Sequence, residues 1–166
     1  MVVVGIDPGT AITGYGFIRQ NENGELEVLD YGVITTPAGA TPERRLDILY
    51  ERLREILLLY RPSSGAVEKL FFQRNVTTAI AVGQARGVAL LALAQAGVKV
   101  AEYTPMQVKQ AVAGWGGAEK MQVQQMVKAI LHLAELPKPD DAADALAVAI
   151  CHQNSARLMD LSNELS

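Results

Sequence analysis

The chain is short of several things that would narrow its function. It has one cysteine, Cys151, so no intramolecular disulfide is available and the fold must come from packing. Cys151 stands in an Ala-rich helical run, where it reads as a small core residue. Histidine is scarce as well: His132 and His152 fall in apolar stretches that read as helix, and each is expected to serve packing or surface rather than catalysis. No conspicuous nucleophile stands beside a base, which argues against acyl-transfer or covalent chemistry. No run approaches the roughly 18 uninterrupted apolar residues that mark a membrane helix, so no span is expected. The opening Met1-Val2-Val3-Val4 lacks a basic leader or a small-residue cleavage site, the pattern of a cytoplasmic protein. Nor is there a surplus of positive charge, the net value being −3.

That net value hides a block structure. Residues 1–60 carry five basic and nine acidic side chains, residues 61–130 eight basic and three acidic, and residues 131–166 two basic and six acidic. A local basic face suffices to bind phosphate, and the middle block can supply one. A solvated surface of mixed sign accounts for the same numbers.

With 49% hydrophobic residues the composition is that of one globular domain, read here as residues 1–158 followed by a short C-terminal tail, 159–166. Val2 to Ile6 is a continuous apolar run ended by Asp7-Pro8-Gly9, as in a strand buried on both faces. Thr13 to Arg19 and Leu26 to Thr36 follow as two more strands around the turn Asn21-Glu22-Asn23-Gly24. Thr41-Pro42-Glu43 starts a helix that Arg61-Pro62 stops. A fourth strand is predicted from Ala66 through Phe72, a long Ala-rich helix over Asn75–Ala96, and a fifth strand over Val98–Tyr103. Helices are then predicted from Thr104-Pro105, over Glu119–Leu133 and over Asp140–Arg157. This order is that of an α/β layer fold with a five-stranded mixed sheet flanked by helices.

Four acids fall where acids are costly or paired. Asp7 ends the first buried strand and Glu68 interrupts the apolar fourth. Asp141 and Asp144, three apart, share one face at the start of the last helix, and Asp140 beside them is placed as its N-cap. Each has a plain alternative: Asp7 could open a turn, Glu68 could pair with a buried arginine, and the Asp pair could favour the helix start. If the four converge, an all-oxygen site suits Mg²⁺ or Mn²⁺. Two such ions, ~3.5–4 Å apart, can activate water and stabilise the leaving oxygen of a phosphodiester.

Several motifs resemble one family. Gly5-Ile6-Asp7-Pro8-Gly9-Thr10 continuing to Thr13-Gly14-Tyr15-Gly16, then Val67-Glu68, Gly83-Gln84-Ala85-Arg86-Gly87-Val88 and Gln107-Val108-Lys109-Gln110 resemble RuvC-type resolvases. Ala118-Glu119-Lys120 with Gln122-Val123, and Asp141-Ala142-Ala143-Asp144-Ala145-Leu146-Ala147, extend the resemblance in order along the chain. It implies a ribonuclease H-like fold, a homodimer, two Mg²⁺ per subunit replaceable by Mn²⁺, and cleavage of four-way DNA junctions. Two strands of like polarity would be nicked near the crossover, with 5′-phosphate and 3′-hydroxyl ends and a preference for a site containing two thymines. RuvA and RuvB would be its branch-migration partners. By motif, Asp7, Glu68, Asp141 and Asp144 are the implied metal ligands, Lys109 and Lys120 lysines acting on DNA beside them, and Phe71 an aromatic that engages bases.

Read from the residues themselves, Lys69-Leu70-Phe71-Phe72-Gln73-Arg74 interleaves cations with aromatics, and Arg86, Lys109, Lys120 and Lys128 extend the basic block. Such a mixture suits phosphate neutralisation with base stacking, so Lys69, Phe71, Phe72, Arg74, Arg86, Lys109 and Lys120 are the expected DNA contacts; the residues alone also allow both phenylalanines to be buried, and the resemblance favours an outward Phe71. Ala79, Gly83 and Gly87 form a small-residue stripe on the long helix. Its partner could be the chain's own sheet or a twin helix, and the resemblance favours the dimer. The competing functions are an actin-like phosphotransferase, a related nuclease acting on RNA, and a non-catalytic junction-binding module. The first needs a second lobe and a glycine-rich phosphate loop, neither of which is visible.

Overall fold

The structure is a computed structural model that describes residues 1–69 and 76–164, with side chains described through residue 158. Strands β1 (Val2–Asp7), β2 (Ile12–Gln20), β3 (Leu26–Thr35), β4 (Ser64–Glu68) and β5 (Lys99–Tyr103) form one sheet in the order β3-β2-β1-β4-β5. The first three pair antiparallel as a meander, and β1–β4 and β4–β5 pair parallel. The sheet is thus mixed, with β1 at its centre.

β1 alternates its side chains between two cores, which explains its unbroken hydrophobicity. Val4 and Ile6 face helices α1 (Pro42–Tyr60) and α2 (Val76–Gln95), meeting Leu49, Leu53, Leu57 and Leu93. Val3 faces helices α3 (Pro105–Ala113), α4 (Lys120–Ile130) and α5 (Asp140–Glu164), among Val108, Val127, Leu146 and Ile150. Each of the fully buried leucines of α1 contributes ~1.5–3 kcal/mol relative to exposure, and their spacing along one stripe fixes which way that helix rolls.

The helix starts and stops follow the local chemistry closely. Thr104 and Gln107 form a complete capping box at α3, and Gly114 ends that helix with a left-handed residue. Two boundaries differ from expectation. α4 ends at Ile130, three residues early, because the chain turns through a left-handed His132 (φ 52°), so this histidine lies in a turn and not in a helix. α5 runs on to Glu164, past Arg157.

Helix α2 is also more apolar than the count of uninterrupted residues suggested. By length and mean hydropathy (1.5) it has the makings of a membrane span, although only 22% of that stretch is buried. Ala85, Ala89, Ala92 and Leu93 seat it on the core, and Arg86 within it is held by polar partners described below. Val88 and Leu90 pack partly against the same core, and Val76, Ile80 and Leu91 face outward.

Candidate active site

Asp7 ends β1 and Glu68 ends the parallel neighbour β4, immediately after the paired residues Ile6 and Val67. On adjacent parallel strands in register, the two carboxylates leave the same face at the same height. The turn beyond Asp7 is closed by buried Thr13, whose hydroxyl accepts from Gly9 N (3.1 Å) and donates to Gly9 O (2.6 Å). Among the described residues no hydrogen bond or ion pair engages the Asp7 carboxylate, so it is not there to build the turn.

The last helix reaches those strand ends because the sheet beneath it has almost no side chains. A Cβ on Gly5 would fall 2.1 Å from Ala145 O, and one on Gly14 would fall 1.9 Å from Asp141 O. Alanines 142, 143, 145 and 149 supply the matching thin face of the helix, each nearly fully buried. Backbone therefore lies against backbone, and the first turns of α5 set Asp141 and Asp144 over Asp7. The glycines of the opening motif work as spacers for this helix, a role that the pattern did not reveal.

Charge records the convergence. Burial, then Asp144, Glu68 and Asp141, push the Asp7 carboxyl up from its ordinary 3.8 to about 7, against a smaller opposing effect of Lys120. Glu68 is raised by burial and by Asp144, with Lys109 opposing. Asp144 is raised by burial, with Lys120 opposing. Among the described residues no three acid, histidine or cysteine side chains already close on one point at metal-binding distance. The acids are close enough to repel one another without closing on one point. A cavity of about 230 Å³ opens there, lined by Glu68, Asp144, Lys109 and Lys120 over a floor of Val108 and Val123. An oxygen-only donor set with an excess of negative charge, half withdrawn from water, fits a hard divalent cation.

Asp140 has a different job from the expected N-cap. It is the first residue of α5, and Pro139 O accepts the first helical bonds, from the amides of Ala142 and Ala143. Its carboxylate accepts from Gln124 Nε2 (3.0 Å) and meets Lys120 Nζ at 3.1 Å, which leaves Lys120 3.7 Å from Asp144. Asp140 thereby holds the lysine at the edge of the site.

Arg86, expected among the DNA contacts, has partners within the chain. Its side chain is only 16% exposed, its Nη1 donates to Glu68 O (2.5 Å), and its Nη2 meets the Glu102 carboxylate. The guanidinium is turned inward and ties α2 to the ends of β4 and β5. Sequence reasoning had no means of finding this pair, whose members are brought together only by the parallel β4–β5 register. Lys69 is exposed beside Glu68. Phe71, Phe72 and Arg74 lie outside the described residues. Ala79 is half-buried, and Gly83 and Gly87 are exposed with open space where a Cβ would stand, so the small stripe is not packed on the chain's own sheet.

The remaining reactive groups lie apart from this cluster. His152 is buried, and its Nδ1 is 3.0 Å from Tyr103 Oη. Cys151 is buried and its thiol is pushed up to about 11, so it is chemically quiet.

A five-stranded mixed sheet with acids at the ends of its two central parallel strands, and more on a helix crossing them, defines a ribonuclease H-like nuclease. Residues 3–152 match the family model described as crossover junction endodeoxyribonuclease RuvC. A protein of that name from Chloroflexus aurantiacus is 60% identical over 156 residues, 94% of each chain. Another from Rubrobacter xylanophilus is 59% identical over 157 residues, 95% of this chain and 87% of its own. The structure of Thermus thermophilus RuvC in complex with a Holliday junction substrate superposes with a TM-score of 0.87 at 40% identity, covering 95% of this chain and 96% of that one. The chain belongs to the RuvC family of crossover junction endodeoxyribonucleases.

Proposed function

We propose that this protein is a divalent-metal-dependent endonuclease that resolves four-way DNA junctions in recombination and repair, nicking two strands of like polarity. The observation that carries the reading is the mutual repulsion that couples Asp7 to Glu68 and Asp144, beside a cavity lined by Glu68, Asp144, Lys109 and Lys120, in a chain of this family. Asp7, Glu68, Asp141 and Asp144 would hold the metal, two Mg²⁺ per subunit or Mn²⁺ in their place. Such ions supply a water of lowered pKa and stabilise the charge of the leaving oxygen.

The chain's own groups do the rest. Lys109 and Lys120 draw the scissile phosphate to the cavity mouth and offset the repulsion between it and four carboxylates. Asp140 keeps Lys120 in that place. Val108 and Val123 below exclude bulk water, which strengthens these interactions. Hydrolysis in this way leaves a 5′-phosphate and a 3′-hydroxyl.

A four-way junction has two-fold symmetry and needs two cuts, and a homodimer matches it. The exposed apolar side of α2, with Gly83 and Gly87 open between Ile80 and Leu91, suits close approach of a second copy. Lys69, with Phe71, Phe72 and Arg74 on the adjoining segment, would meet the DNA near the crossover. RuvA and RuvB would deliver the junction in the cytoplasm.

The test compares a synthetic four-way DNA junction, its linear duplex arms and an RNA duplex, each with Mg²⁺. Paired symmetric nicks in the junction alone are expected. Cleavage of the RNA in preference, or binding without metal-dependent turnover, would contradict the reading. Lys109→Ala and Lys120→Ala should each reduce cleavage and flatten the salt dependence of junction binding by about one unit of log–log slope.

A further inference from the structure

The connection between α3 and α4 carries the chain's one tryptophan. Trp115 is 54% exposed, and Met106 and Met121 beside the same connection are 65% and 53% exposed. Three large apolar side chains standing in water so near an acidic cavity call for a reason.

The ledge they make is built rather than loose. Gly114 N bonds to Gln110 O (3.0 Å) to end α3, and the chain then doubles back along that helix. A Cβ on Gly116 would fall 2.5 Å from Met106 Cγ, and one on Gly117 would fall 2.4 Å from Trp115 Cζ3. Both side chains therefore lie directly on glycine backbone, with their outer faces uncovered. Met106 follows Pro105, which lines the cavity, and lies one turn from Lys109; Met121 follows Lys120. The ledge adjoins the cavity through Pro105, the neighbour of Met106, on which Gly116 lies.

We propose that Trp115 stacks on a nucleobase of the DNA strand that enters the site, next to the phosphate drawn in by Lys109 and Lys120. This rests on the nuclease reading above. An aromatic ring near cations suits unstacked nucleic acid: the lysines take the backbone and the ring takes a base face of any sequence. Three side chains are too small a patch for a stable protein interface, which buries ~800 Å² on each partner. Continuity with the lysines at the site sets the occupant as DNA.

Because Trp115 is the single tryptophan, its emission reports the contact directly in the intact protein. A four-way DNA junction is titrated into metal-free protein, and gel shift measures binding independently. The inference expects emission to be quenched as the junction binds, and iodide to lose access to the ring. Trp115→Ala should weaken junction binding about tenfold, and Trp115→Phe should recover most of that loss. Junction binding by gel shift with unchanged emission and an unweakened Trp115→Ala would overturn the stacking role and leave the nuclease reading intact. Trp115-dependent self-association, with emission indifferent to DNA, would assign the ledge to a protein and also overturn it. No junction binding at all would sink the nuclease reading and this inference together.

Discussion

The cost of the site falls on Asp7. An acid whose carboxyl is lifted from 3.8 to about 7 by burial and by three other acids destabilises the metal-free fold once it ionises. Between those two values the folded chain keeps a proton that the unfolded chain has released, so stability falls as pH rises through the window, by ~2–4 kcal/mol. Asp7→Asn removes the penalty. In the presence of a chelator at pH ~8 it should melt about 5 °C or more above the parent, and the advantage should vanish near pH ~4. Mg²⁺ should raise the melting temperature of the parent and do little for the variant. An equal or lower melting temperature for Asp7→Asn at both pH values would mean that the four acids do not share one site. Asp7 and Glu68 were legible in the sequence because a charge in an apolar strand is conspicuous. The task of Asp140 was not, because Lys120 and Gln124, its partners, come from a helix whose position the sequence does not give.

At the scale of elements, the site depends on how closely α5 lies on β1 and β2. Gly14→Ala would drive a methyl group into Asp141 O, and should cost ~1–3 kcal/mol or more while displacing both acids of the helix. Gly39→Ala, with open space at its Cβ, should leave both chemical denaturation and cleavage near those of the parent. Comparable losses in the two variants would show that backbone freedom, and not close approach, explains Gly14. The other junction between elements is Arg86, which holds the end of β4 where Glu68 stands. Arg86→Ala should lower cleavage without changing the salt slope of junction binding, and Arg86→Lys should not restore it, because a lysine cannot span the carbonyl and Glu102 together. A reduced slope in Arg86→Ala would return this residue to the DNA face. The element order and most boundaries could be read from apolar period, Thr-Pro starts and glycine stops. The end of α4 could not, since a left-handed histidine is not a local property of the apolar pattern.

For the whole molecule, the net charge of −3 misleads unless it is resolved in space. Lys109 and Lys120 gather at one cavity mouth, and the acids they face belong to the site itself. The apolar outer side of α2 is the other feature of this scale, and a second copy on it would set two cavities for the two cuts of one junction. On the proposal that α2 seats a second copy, the parent should sediment as a dimer and Gly83→Arg as a monomer with uncoupled nicks; a dimer that survives the substitution would move the interface elsewhere. The claim at the centre is that Asp7 and Glu68 hold metal for phosphodiester cleavage and are dispensable for binding. Its direct measurement is cleavage of a synthetic four-way junction in Mg²⁺ by the parent, Asp7→Asn and Glu68→Gln, with binding followed in parallel. All three proteins should bind the junction and only the parent should cut it; cutting by either variant would contradict the assignment.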